Sequence, residues 1–492
     1  MKNYDIVFIH PPRIIKPHGN HARFNRGEFI FVPMGVFAIA DFLEKEGYAV
    51  KIINYPLEQY LNRNWTLTNF LKNINFSVCG IDLHWVHNSH GAIEIARIVK
   101  ELNPNTKIVL GGFSASYYHD QILKYYKVID GIIRGEGEIP LLKYIQKVSQ
   151  NQPLDSVPNL SYRDPSNHIK VNPLSYTAKT LDNLNFTNVS LLNNAKQYIK
   201  YSRNIMGIPF NLPVGRGCPF NCPFCGGGQR AQQNLSGRNK VILRSPEKVI
   251  EDISNISDKY KVSSLFFGHG AYPANLKYWK RLFGLIQKEK YDISGDLEIW
   301  RLPFPKEMWK IFNKTFSRRH SSISISPRTM SSNVQQKIAK ICDPTFNFPE
   351  SQINDLIKNA SLFRTTLRIW LTVGYPFQTR LDILKDFIYG MKCLLKYGRS
   401  NTKPITIMSE QYHIFPGSPA HESPESFGIK LKYKSFLEIA DAFKRAKISH
   451  FYNPINYDKK HFSANSINYL NKLLFFSTAL MFLTSGPNYP QF

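Results

Sequence analysis

Cysteine is scarce, with six residues in 492. That excludes the disulfide framework on which small secreted domains depend and suits a reducing compartment. Acidic residues are also few, 36 against 63 lysines and arginines, which leaves a formal net charge of +27. Long apolar runs are missing. The longest late one, Leu473 to Leu483, is about half of a membrane span. It reads as a buried C-terminal helix, with peripheral membrane contact as the alternative. The first residues, MKNYDIVFIHPPR, lack the apolar core and small-residue cleavage site of a signal peptide and read as a first strand. No solenoid repeat and no nucleic-acid-binding module is found, so nucleic acid is not an expected partner. These absences point to the cytoplasm.

Material for folded cores is plentiful. Apolar residues make up 43% of the chain, including 34 Phe and 26 Tyr, and the length calls for more than one domain. The basic excess has three readings: binding of an anionic substrate, lipid headgroup or nucleic acid, attraction of phosphate-bearing cofactors, or a surface simply rich in Lys and Asn.

Residues 1–150 alternate strand and helix patterns, from DIVFIHPP through PMGVFAIADFLEKEGY, AVKIINY, FSVCGIDLHW and GAIEIARIVKELNP to KIVLGGFSAS and VIDGIIRGEGEIP. Continuous apolar strands alternating with amphipathic helices predict an α/β, doubly wound, Rossmann-like parallel sheet, with ligands at the carboxyl ends of its strands. Residues 151–205, rich in Pro, Asn and Ser, read as a linker with a short hairpin. A second series runs over 206–420. Its strand candidates are FNLPVGRG, SSLFFGHG, DLEIWRLP, SSISISP, TLRIWLTVGYP and PITIMSEQYHIF, which fit a partial, TIM-like (β/α)6 barrel. Residues 421–492 form a small C-terminal region, read as helical and rich in Tyr and Phe.

Three of the cysteines, Cys218, Cys222 and Cys225, fall within eight residues in the pattern C-x3-C-x2-C, just after the first strand of the second series. Three thiolates and no fourth suit a 4Fe-4S cluster with one iron left open. Structural zinc would ask for four ligands, usually as two separated pairs, and no second pair follows. Gly226, Gly227 and Gly228 let backbone approach the cluster or its ligand closely, or else form only a tight turn.

This cysteine motif resembles the radical S-adenosylmethionine (SAM) superfamily. The resemblance implies that Cys218, Cys222 and Cys225 hold the cluster, that SAM binds the open iron, and that Phe224 packs near its adenine. It further implies reductive cleavage of SAM to a 5′-deoxyadenosyl radical, with the electron from a donor such as flavodoxin or ferredoxin. The segments of residues 4 to about 146 together resemble the cobalamin-binding domain that precedes radical SAM barrels. That resemblance implies cobalamin on the carboxyl edge of the sheet, lined by Gly111, Gly112, Ser114, Ser116, Gly135, Glu136 and His84. Asp82-Leu-His84-Trp-Val-His87 nearly matches D-x-H-x-x-G, the motif that supplies histidine to cobalt. However, His87 stands in place of the glycine, the segment follows the third strand rather than the first, and the loop from His10 to Val32 has no such motif. His84 is therefore expected in a pocket or interface rather than as a cobalt ligand.

In the second series, His269 and Tyr272 end the second strand and are placed to act as acid, base or substrate contact, or only to pack. Alternation along the third strand puts Glu298 and Trp300 on one face and Arg301 opposite unless the strand end twists, with Glu298 as a candidate SAM contact. Ser326 and Arg328 stand where relatives carry an acidic turn that meets SAM. Gly374 lies in a glycine-proline turn like the family's turn beside adenine. Tyr412 and His413 precede Pro416-Gly-Ser-Pro419, which resembles the family's closing segment, and are candidates to reach substrate. The resemblance as a whole implies a cobalamin-dependent radical SAM methyltransferase acting on an unactivated carbon. The alternatives are other radical SAM chemistry (cyclisation, oxidation or carbon–carbon coupling) beside a corrinoid-free first domain, or an idle iron–sulfur or corrinoid-binding protein. For the substrate, a lipid, a peptide and an anionic metabolite all stay open.

Overall fold

The computed structural model describes residues 2–15, 30–204, 209–316, 321–397, 405–410, 412–445, 455–460 and 462–472. The apolar stretch Leu473 to Leu483 and most of the His10 to Val32 loop lie outside the described residues. Among the described residues no helix is long and apolar enough to cross a membrane.

In the first domain, strands β1 (Lys2–His10), β2 (Val50–Asn54), β3 (Ile74–Asp82), β4 (Lys107–Gly111) and β5 (Gly131–Ile133) form a parallel sheet in the order β2-β1-β3-β4-β5. Side chains alternate between its faces. Ile6 and Phe8 of β1 join one core with Phe37 and Leu141 from the helices Met34–Lys45 and Glu138–Ser149. Val7 and Ile9 join the other with Ile95 and Val99 of the helix Ser89–Leu102. The expected doubly wound sheet is therefore present. The hairpin expected in the linker is also present, but β6 (Leu160–Arg163) and β7 (Ile169–Val171) add antiparallel to β5 and extend this sheet at one edge.

The second domain is built on six parallel strands in the order β15-β14-β13-β12-β11-β8: β8 (Phe210–Leu212), β11 (Ser264–Phe267), β12 (Ser294–Ile299), β13 (Ser322–Arg328), β14 (Thr366–Thr372) and β15 (Ile405–Glu410). The order follows the sequence, as in a partial barrel, and β8 and β15 are not hydrogen-bonded to each other. Between them in sequence, β9 (Gly215–Arg216) and β10 (Ile242–Leu243) form a separate antiparallel pair. The sequence pattern read FNLPVGRG as one strand. Pro213, without an N–H to donate, divides it. Helices pack outside the sheet. Pro246–Tyr260, for example, starts where Ser245 accepts from Lys248 N and Pro246 presets the first turn.

The C-terminal region is not an isolated appendage. Helix Phe436–Arg445 packs Phe436, Ile439 and Phe443 into the first domain's second core. The hairpin of β16 (Ile429–Leu431) and β17 (Tyr457–Lys459) reaches the turn after β14, where Tyr457 Oη donates to Gly374 O at 3.1 Å and Lys459 Nζ to Gln378 O at 2.9 Å.

Candidate functional site

Strands β1 and β3 are neighbours whose chains leave in opposite directions, which opens a crevice at their carboxyl ends. A cavity of about 1040 Å³ fills that crevice and continues to the second domain, where Asn211, Phe266, Asp296 and Arg368 line it. This lies at the upper end of the roughly 300–1,000 Å³ of small-molecule sites. Gly111, with nothing nearer to its missing side chain than Ile133 O at 3.9 Å, leaves the wall open where a bulky corrinoid would lie. The residues therefore fit such a group.

The predicted cobalamin residues cluster here, with differing parts. Gly112 has φ +107°, and a Cβ on it would lie 2.7 Å from the backbone of His84. It therefore brings the turns after β3 and β4 together. Ser114 does not line the cavity: its hydroxyl donates to His84 O at 3.0 Å. Ser116 is at the wall, but its hydroxyl donates to Gly112 O at 2.8 Å and accepts from Gly135 N at 2.9 Å. These hydroxyls, expected on a ligand, instead stitch turns, adding to the backbone bonds that Ser114 N and Ser116 N already make to the same two carbonyls. His84 lines the cavity against Phe113, and burial lowers its pKa to about 4, against the opposing pull of Asp82. Asp82 itself pairs with His10, whose Nδ1 is 2.9 Å from Oδ2. No local pattern signals this pair, since its members end different strands.

Glu136 also lines the cavity but is an interdomain anchor. It pairs with Arg238 and, at 3.1 Å, with Arg216 of β9, which also binds the buried Glu138. Burial alone would raise the Glu136 carboxyl, yet its arginine partners and Ala178 N hold it below its ordinary range. Gly135, at φ +71°, admits the helix Gln229–Ser236, because a Cβ there would lie 2.6 Å from Ser236 Cα. The first domain thus grips the cysteine loop from both ends.

Cys218, Cys222 and Cys225 follow β9 on that loop, and all are free thiols. Among the described residues no three His, Cys, Asp or Glu side chains are already gathered at metal-ligand distance. The thiols are nonetheless close enough to act on one another: burial, then Cys222 and Cys225, push Cys218 above its ordinary value, and burial, then Cys222, push Cys225 up to about 11. A crowded set of thiols that resist ionising in each other's presence suits a cationic iron cluster, so the donor set fits one. Gly227 lies 3.8 Å from Cys225 Sγ by its absent Cβ, while Gly226 makes room for Pro416 O, 2.6 Å from that point.

The carboxyl ends of the second sheet meet this loop. Glu298 accepts from Trp300 Nε1 and Ser326 Oγ, each at 3.1 Å; alternation along β12 groups the first two, and the neighbouring strand β13 brings Ser326 to them. Arg328 pairs with Glu410, a residue the sequence reading missed. Its guanidinium lies 4.5 Å from the Tyr412 ring, and Tyr412 stacks on Phe224 at 3.7 Å. Gly374 is beside Ile467 of the C-terminal region, whose carbons lie 2.9 Å from a built Cβ. Tyr272 stands over the loop against Phe220, its phenol raised by burial and by Cys218. His269 is buried beside Trp300, its pKa lowered to about 4 by burial. His413 does not join this group. It faces the first domain, 5.3 Å from the His87 ring, because the chain has left β15 at Glu410 and packs here against His87 and Phe443. The reverse holds for Arg301. Expected on the far face, it lies beyond the end of β12 and turns back to place Nη2 3.7 Å from Cys222 Sγ.

Residues 22–144 match the B12 binding domain and residues 212–387 match the radical SAM superfamily. An uncharacterized methyltransferase of Pyrococcus horikoshii is 23% identical over 368 residues, 75% of this chain and 74% of that protein. An anaerobic magnesium-protoporphyrin IX monomethyl ester cyclase of Rubrivivax gelatinosus is 29% identical over 174 residues, 34% of this chain but only 28% of that protein. The radical SAM methyltransferase TsrM of Kitasatospora setae shares the fold, with a TM-score of 0.66 at 11% identity over 98% of this chain and 89% of its own. The chain thus belongs among the radical SAM enzymes that carry a B12 binding domain, whose cofactors are a 4Fe-4S cluster, SAM and cobalamin.

Proposed function

We propose that this radical SAM enzyme transfers a methyl group to an unactivated carbon of its substrate. The observation that carries the reading is the reach of the cavity: one wall is the carboxyl edge of the first sheet, and another is Gly215 to Gly217, the segment immediately before Cys218, although the cysteines themselves are not in its wall. A corrinoid on that edge would lie next to the segment that leads into the cluster loop. Bound there, the cluster supplies the electron that cleaves SAM, and cobalamin carries the methyl group.

The chain's own residues supply the setting. Cys218, Cys222 and Cys225 would hold the cluster, and Gly111, Gly112 and His84 would border the corrinoid. Glu298, Ser326 and Arg328 would bind and orient SAM at the strand ends. Tyr412 must leave the face of Phe224 for adenine to stack there. His269, neutral at ordinary pH, and Tyr272 are placed to move a proton near the cysteine loop. Apolar walls such as Phe8, Met34, Val36 and Phe266 exclude water.

The test is anaerobic incubation of the loaded protein with cobalamin, SAM, reductant and candidate lipids, peptides and anionic metabolites. Methyl transfer requires S-adenosylhomocysteine and 5′-deoxyadenosine to form together with a substrate. Substrate-dependent 5′-deoxyadenosine without S-adenosylhomocysteine would support the second reading, other radical chemistry such as ring formation. The similarity to the cyclase favours that alternative.

A further inference from the structure

Arg301 has no part in the reading above, yet it hydrogen-bonds to one of the three cysteines. Its side chain is 7% exposed. Nε donates to Thr345 Oγ1 at 3.0 Å, and Nη1 to Trp300 O at 2.5 Å. Nη2 is shared between the Asp343 carboxylate and Cys222 Sγ, the latter at 3.7 Å. The guanidinium lies 4.1 Å from the centre of Phe220, a ring in the loop between Cys218 and Cys222. Asp343 and Thr345 follow the helix Ser332–Ile341, so the site joins three separate parts of the chain.

We infer that Arg301 raises the reduction potential of the cluster by hydrogen bonding to the Cys222 sulfur and placing a fixed positive charge beside it. The inference rests on the cluster assignment alone, not on methyl transfer. The reaction concerned adds one electron, from dithionite or a reduced small redox protein, to the oxidised cluster. No bond breaks and no proton is required. The added electron increases negative charge on the cluster sulfurs, and a charge-assisted hydrogen bond strengthens as its acceptor becomes more negative. The reduced state therefore gains more than the oxidised one, which is how sulfur hydrogen bonds and local charge set such potentials. An arginine serving only to brace the fold would be satisfied by Asp343, Thr345 and Trp300. It would have no reason to turn its last donor onto a thiol.

The test uses the full chain, purified and loaded anaerobically with iron and sulfide, and titrated with dithionite and mediators while the reduced cluster is followed by electron paramagnetic resonance. Neither SAM, corrinoid nor substrate is present, so a failed methyl-transfer assay would leave this result untouched. Arg301→Gln removes the charge and leaves Asp343 uncompensated. The reduction equilibrium should become about tenfold less favourable or worse, equivalent to about 59 mV or more downward for one electron. Asp343→Asn removes the opposing charge and should move the potential upward. Iron and sulfide counts report loading separately. A fully loaded Arg301→Gln protein with an unchanged midpoint overturns the inference. If that variant does not load, Arg301→Lys, which loses the forked donor, and Asp343→Asn decide: shifts of opposite sign support it, and no shift in either overturns it.

Discussion

Replacing Arg216 by Met tests whether the first domain holds the cysteine loop through ion pairs. Arg216 bridges Glu136 at 3.1 Å and Glu138, and its own side chain is 22% exposed. In the variant Glu136 keeps Arg238, but Glu138, 2% exposed and already holding one buried oxygen without a partner, loses its cation. Breaking a buried pair from one side costs about 3–5 kcal/mol. Because the arginine is partly solvated, the lower end, about 3 kcal/mol, is the expected loss. At about 2–4 °C per kcal/mol for a unit of 150–250 residues, the thermal midpoint should fall by about 6–12 °C. The double variant Arg216→Met/Glu138→Leu removes both charges and should regain most of that loss. Calorimetry of the three proteins in one buffer decides the matter. A single variant within about 2 °C of the parent, or a double variant no better than the single, would refute the anchoring role.

Serine at Cys218, Cys222 or Cys225 should abolish iron loading, read as iron per chain after anaerobic reconstitution, while Cys393→Ser should load normally. Full loading in any of the first three would sink the cluster assignment. Gly112→Ala places a Cβ 2.7 Å from the His84 backbone at φ +107°, a strain of about 1–3 kcal/mol. It should weaken cobalamin binding at least tenfold by absorbance titration, and an unchanged affinity would show that the turn does not shape the site. His84 and His269 both have pKa values lowered by burial to about 4, from 6.5. Between those values the unfolded chain binds protons that the folded chain does not, so stability rises with pH from about 4 to 6.5 and is lost on acidification. Thermal midpoints over that range should show the slope, and His84→Asn with His269→Asn should reduce it, the remainder coming from His87, His90 and His119, which burial also lowers. A parent profile already flat would contradict the burial of these rings.

The first sheet was legible because its strands alternate apolar side chains between two cores, a pattern carried within each segment. The edge pair β6 and β7 was legible as a hairpin but not as part of the sheet, since joining β5 depends on a partner remote in sequence. Within the site, Glu298 and Trp300 could be grouped because strand alternation carries one residue past Ile299, the last of β12. Arg301, one residue further on, turns back instead of facing away, and the direction of His413 depends on the first domain it packs against. Ser114 and Ser116 were legible as residues of the right turn. What their hydroxyls bond to was not, because the acceptors, His84 O and Gly112 O, depend on how two turns meet.

The sequence alone determined the local chemistry: three cysteines spaced for one cluster, two β-α series, and the order in which they come. Spacing within a few residues constrains a loop directly, and apolar periodicity constrains a strand or helix directly. Tertiary structure alone decided which groups are left for a ligand and which are used by the fold. It turned Glu136 toward Arg216 and Arg238, paired His10 with Asp82 across two strands, and brought Arg301 to Cys222. Those choices are made by contacts between segments far apart in the chain, where burial leaves a charged group no partner but the one packing supplies.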